Sequence, residues 1–182
     1  MKTKRFIGLV VLLTAAVTAP ASIPAARAGD DNRAPDLPSP TCDSVQVQPG
    51  NKVAFRVYAR GVQIYRWNGA TWLFVAPVAT LFADAGFHGQ VGIHYAGPTW
   101  ESNSGSKVVA TRLEGCSPEP TAIPWLLLQA TSTNGPGIFS AVTYIQRVNT
   151  TGGLAPTAPG SFLNESAEVP YTAEYYFYHA ED

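Results

Sequence analysis

Residues 62–76, V-Q-I-Y-R-W-N-G-A-T-W-L-F-V-A, place Asn68-Gly69 between two aromatic-rich apolar runs. Asn-Gly is the preferred pair for a type I′ hairpin turn, whose central residues both need positive φ. Gly takes that conformation freely and Asn better than most residues, so the segment predicts an antiparallel hairpin. Its strands carry apolar residues on both faces. Val62 and Ile64 alternate with Tyr65 and Trp67, and near the C-terminus Tyr175 and Phe177 alternate with Tyr176 and Tyr178. Such a sheet must be covered twice, by another sheet, by barrel closure or by a partner.

Further strands are expected over residues 53–59, 91–95, 107–113, 126–131, 140–148 and 171–179, separated by Gly and Pro. No window from Cys42 onward sustains helical periodicity over three turns. Residues 122–128, with Pro124 fitting a first-turn position, are the alternative place for a helical turn. The fold class is therefore all-β: an antiparallel sandwich or small barrel built from hairpins, in a single domain over residues 42–182. Gly69-Ala70-Thr71-Trp72 is echoed by Gly97-Pro98-Thr99-Trp100, but two units do not make a repeat protein.

The N-terminus reads as an export signal over residues 1–28. Lys2, Lys4 and Arg5 precede an apolar run, and Ala26-Arg27-Ala28 supplies the small-x-small cleavage pattern. The run is shorter than the roughly 20 residues of a membrane span, so no span remains after cleavage. Residues 29–41, rich in Asp, Asn and Pro, read as a flexible leader. The expected location is outside the cytoplasm, extracellular or periplasmic. There an isolated pair such as Cys42 and Cys116 is expected to be bridged.

Loss of the signal removes four of the 12 basic residues and none of the 13 acidic ones, giving a mature net charge of −5. The remaining cations are scattered, which argues against nucleic acid and anionic membrane surfaces as partners.

Polar chemistry is densest in residues 93–107, I-H-Y-A-G-P-T-W-E-S-N-S-G-S-K. His94 and Glu101 are the candidate acid/base pair, with Ser102 or Ser106 as a nucleophile, although no G-x-S-x-G elbow presents a serine. Tyr95, Trp100, Glu101, Asn103 and Arg147 are the candidate ligand contacts. Aromatic faces stack on sugars and flat apolar molecules, and Arg147 suits a carboxylate, whether a ligand's or that of Glu101. His88, His94 and Glu101 match no standard metal spacing, so no metal or other cofactor is assigned.

G-V-Q-I-Y-R (61–66), A-T-L-F (79–82), H-Y-A-G-P-T-W-E (94–101), I-P-W-L-L-L (123–128), V-T-Y-I-Q-R-V-N-T-x-G-G (142–153) and V-P-Y-T-A-E-Y-Y-F-Y (169–178) together resemble a secreted bacterial and fungal family, domain of unknown function 3455. The resemblance covers most of the chain from about residue 53 and implies no established function. It does imply a Cys where this chain has Trp67, and a second where it has Pro159-Gly160-Ser161. A family disulfide is then missing here, with Cys42–Cys116 left to compensate. The malate dehydrogenase label carried by some relatives finds no G-x-G-x-x-G after a strand in this chain.

The leading expectation is a secreted β-domain without catalysis that binds a small molecule or glycan near Trp100. A cofactor-free hydrolase or isomerase using His94 and Glu101 is the alternative, and a structural envelope or matrix protein a third. Nothing in the sequence sets the oligomeric state.

Overall fold

The computed structural model describes residues 33–181; the signal segment at 1–28 and the first leader residues lie outside them. The runs between turn signals form eight strands: β1 (Asn51–Trp67), β2 (Trp72–Phe82), β3 (Gln90–Tyr95), β4 (Thr99–Ser102), β5 (Lys107–Cys116), β6 (Trp125–Asn134), β7 (Val142–Gly152) and β8 (Ser166–Ala180). Each pairs antiparallel with its neighbour, and β8 returns to β1 to close a barrel. Closure decides between the two architectures expected from the sequence. It also leaves no open sheet edge, and eight strands enclose a space that side chains fill or that holds one small ligand.

Strand alternation sorts the two apolar faces. Val57, Ala59, Leu81, Trp100, Val108, Ile145, Tyr175 and Phe177 form the interior cluster. Phe139, from the β6–β7 connection, plugs one end against Phe55 and Phe177, with ring centroids 5.7 and 5.0 Å away. Its backbone N–H donates to the Oγ of Ser106, which is fully buried in the β4–β5 turn.

The outward Tyr176 and Tyr178 are covered by the chain's own N-terminal segment. Cys42, Val45, Leu37 and Val47 pack with Val53, Trp125, Leu127 and Val148 against them. The Cys42–Cys116 disulfide ties this segment to the end of β5, with Cα atoms 5.3 Å apart. Buried Gln146 adds a second tie, its Nε2 donating to Val45 O at 2.7 Å while its Oε1 accepts from the Tyr178 hydroxyl. Burial of each large side chain here contributes about 2 kcal/mol.

Two local expectations are corrected. The chain reverses at Asn68-Gly69, but through a four-residue loop between the paired Trp67 and Trp72 and not a type I′ turn. Asn68 keeps an ordinary φ, and its Oδ1 instead accepts from the N–H groups of Ala70 and Thr71, leaving Gly69 alone at positive φ (95°). Residues 122–128 form no helical turn: β6 begins at Trp125, and the preceding segment is held by the end of the neighbouring β7.

Trp67 lies against Gly160 so closely that a Cβ there would come within 2.5 Å of the indole Cγ. The two positions at which the family resemblance implies cysteines are thus neighbours in space, filled here by an indole on a glycine.

Candidate functional site

The interior is packed at the Phe139 end and open at the other. Between them lies a cavity of about 600 Å³, a size typical of small-molecule sites. Its walls come from β1 (Gln63, Tyr65), β2 (Phe74, Pro77), the β3–β4 turn (Ala96, Gly97, Pro98), β5 (Ala110, Arg112), the start of β6 (Leu126, Leu128), β7 (Arg147) and β8 (Tyr175).

His94 and Trp100 form its floor. They are cross-strand partners on β3 and β4, and their rings stack at 4.3 Å with 14° between planes. Tyr175 meets both edge-on, at 5.2 and 5.4 Å. The His94 Nδ1–H donates to Thr99 O at 2.8 Å, which fixes the tautomer and leaves Nε2 as an acceptor. Burial drives the imidazole pKa down to about 3, with the Thr99 bond opposing and the positive charge of Arg147 assisting. His94 is thus neutral at any ordinary pH.

Arg147 sits in the wall between Tyr175 and the 121–124 segment. Its Nε and Nη2 both donate to Pro124 O, at 3.1 and 2.8 Å. The same segment is held by Thr150 Oγ1 donating to Ile123 O and by Ile123 N–H donating to Gly152 O. The 142–153 motif therefore serves as a clamp on the cavity rim. Among the described residues Arg147 has no carboxylate partner, nor does Arg112 at the mouth; the ion pairs present are Arg56–Glu174, His88–Asp84 and Lys107–Glu101.

Three residues lining the cavity carry a buried polar group with no hydrogen-bond partner: Gln63 Nε2, Trp100 Nε1 and the Tyr175 hydroxyl. The Tyr171 hydroxyl, on a residue outside the cavity lining, is a fourth. Burial raises the pKa of Tyr171 and of Tyr175. The two hydroxyls lie close to each other and that of Tyr175 close to the Arg147 guanidinium, whose charge pulls both the other way, yet neither meets a partner in hydrogen-bond geometry. Each unsatisfied group costs roughly 1–3 kcal/mol unless something in the cavity meets it.

The period of two divides the predicted site. Trp100, Arg147 and His94 line the cavity. Tyr95 and Glu101 point outward, where the Tyr95 hydroxyl donates to Glu101 Oε2 at 2.9 Å and Lys107 Nζ lies 3.1 Å from the same oxygen. The Tyr95 bond, then Lys107, hold the Glu101 carboxyl below its usual pKa. Asn103, in the turn at the other end, donates to Gln90 O. The structure therefore does not bring His94 and Glu101 together. Ser102 bonds to Ser104 within that same turn, and His88 lies in the β2–β3 loop against Asp84.

Sequence reasoning passed over Gln63, Tyr65, Tyr175 and Arg112. Gln63 carried a usable signal: it is the polar side chain in the inward series Val57, Ala59, Gly61, Gln63, Tyr65 of an otherwise apolar face.

The family model described as "Protein of unknown function (DUF3455)" matches residues 48–179, which takes in the eight strands save the last residue of β8, but not Cys42. No curated protein and no solved structure matches the chain.

Proposed function

The chain belongs to the DUF3455 family, and from that premise we propose that it is an exported barrel that binds a small molecule or glycan in its interior, without catalysis. The observation that carries the reading is the set of unpartnered buried groups on Gln63, Trp100 and Tyr175, three residues that line one cavity. Polar groups this deeply buried are normally satisfied, and a ligand entering between them would satisfy them. The disulfide supports export, because such bridges persist in oxidising compartments. Catalysis through His94 and Glu101 has no support in their placement, since the barrel wall separates them.

A second reading, a structural protein packed against a partner, draws on the exposed Val78 and Ile93 on the outer surface of β2 and β3. The test is a thermal-shift screen of the mature chain against sugars, organic acids, aromatics and lipids. A ligand at about 100 times its Kd adds about 2.7 kcal/mol and raises Tm. A shift abolished by Trp100→Ala supports the binding reading; no shift from any class moves the weight to the structural one. Mass spectrometry of exported protein is expected to find Gly29 at the N-terminus, and an uncleaved chain would overturn export by signal cleavage.

A further inference from the structure

Resting on the proposal that the cavity binds a small molecule, we infer that its ligand is a monoanionic carboxylate on an apolar or aromatic body, with the carboxylate held by Arg147. The charge comes first. Two guanidiniums, Arg147 and Arg112, line the cavity, and no Asp or Glu does. Neither guanidinium has an ion-pair partner among the described residues. A cation in an apolar pocket is costly without a counter-charge, so the cavity favours an anion over a neutral or cationic guest.

The donors come second. Pro124 O occupies the Nε–H and one Nη2–H of Arg147. A guanidinium has five N–H bonds, so three remain, on the Nη1/Nη2 end whose fork matches a carboxylate. Among the lining residues the Trp100 indole N–H, the Tyr175 hydroxyl and the Gln63 amide N–H lack partners and can donate to oxygen, against one neutral acceptor, Nε2 of His94. Arg147 is the inner guanidinium and Arg112 is exposed at the mouth, so one negative charge balances the interior and a dianion exceeds it. The rest of the lining, Tyr65, Phe74, Ala110, Leu126 and Leu128, suits an apolar body.

The test uses one body with four heads: 4-phenylbutyrate, its primary amide, 4-phenylbutylamine and 4-phenylbutyl phosphate. Binding to the mature disulfide-bonded chain is followed by tryptophan fluorescence and thermal shift. The carboxylate is expected to bind at least tenfold more tightly than the amide or amine, and no more weakly than the phosphate. In Arg147→Gln the advantage over the amide should vanish. Equal affinity for amide and carboxylate, a tighter phosphate, or a preference that survives in folded Arg147→Gln would overturn the carboxylate assignment while leaving a binding cavity. Binding of none of the four at millimolar concentration would overturn both. Should Arg147→Gln fail to fold through loss of its Pro124 bonds, the wild-type comparison of the four heads decides alone.

Discussion

Gln146 and Arg147 are consecutive in β7 yet work on opposite sides of the barrel wall. Gln146 reaches outward to Val45 O and holds the N-terminal segment, and Arg147 reaches inward to Pro124 O and the cavity. One dipeptide thus joins the outer covering to the cavity.

On the outer side, the disulfide closes a loop of 74 residues, which corresponds to roughly 4 kcal/mol in the chain-entropy estimate. A Cys42→Ala/Cys116→Ala chain is expected to lose stability on that scale in urea titration. Limited proteolysis should then cut first in the segment around Val45, exposing Tyr176 and Tyr178. An unchanged urea midpoint would show that Gln146 and the apolar contacts suffice.

On the inner side, Trp100 is 1% exposed and contacts His94, Tyr175 and Phe177. Trp100→Ala should cost about 3–5 kcal/mol and abolish ligand shifts. Trp100→Phe keeps the ring stack but removes the indole N–H. It should fold with a smaller loss while weakening ligand binding several-fold, as read by titration; undiminished affinity would remove Trp100 Nε1 from the contacts.

The pH dependence follows from His94. The folded imidazole, near 3, lies far below its unfolded value of 6.5. Below about pH 6.5 the unfolded chain takes up a proton that the folded chain refuses. Stability from neutral His94 is therefore complete above that pH and falls by up to about 1.4 kcal/mol per unit as pH drops toward 3. Asp84, Glu101 and Glu119, all held below their usual pKa, come into play only at lower pH. Urea midpoints between about pH 6.5 and 5.5 should thus show the slope in wild type and a flatter one in His94→Phe. An equal slope in both would assign the effect to another group.

Glu101 supplies the contrast. Its carboxylate bonds to Tyr95 and Lys107 on the outer face, so Glu101→Gln should leave ligand affinity and the melting profile close to wild type. A Glu101→Gln chain that folds normally but loses binding or turnover of a ligand would return the acid/base reading to contention.

Gly61 tests the wall itself. Paired with Ala79, it approaches β2 so closely that an added Cβ would lie 2.1 Å from Val78 O. The obstacle is strand backbone, which cannot swing aside as a flexible side chain can. Gly61→Ala is expected to destabilise by about 1–3 kcal/mol in urea titration, and a neutral result would mean that β1 and β2 separate there at little cost.

Much of the fold was legible because strands declare themselves locally. The runs at 91–95 and 107–113 fall within β3 and β5, since alternation and turn residues are properties of a few neighbouring positions. β4 is not legible as a strand: Thr99–Ser102 is four residues long and reads as part of a turn until its neighbours pair with it. The site was half legible. Trp100, Arg147 and His94, whose chemistry marks them in the sequence, line the cavity, whereas Tyr95, Glu101 and Asn103 do not.

The sequence alone therefore determined an all-β chain, the pair of cysteines available for a bridge, and the need to cover two apolar faces. Each follows from local periodicity and composition. Only the tertiary structure decided what covers them, a closed barrel inside and the N-terminal segment outside, and which polar groups meet in one cavity. The reason is geometric. Gln63 and Tyr175 are 112 positions apart in the chain, and only closure of β8 onto β1 sets Gln63, Arg147 and Tyr175 around the same space.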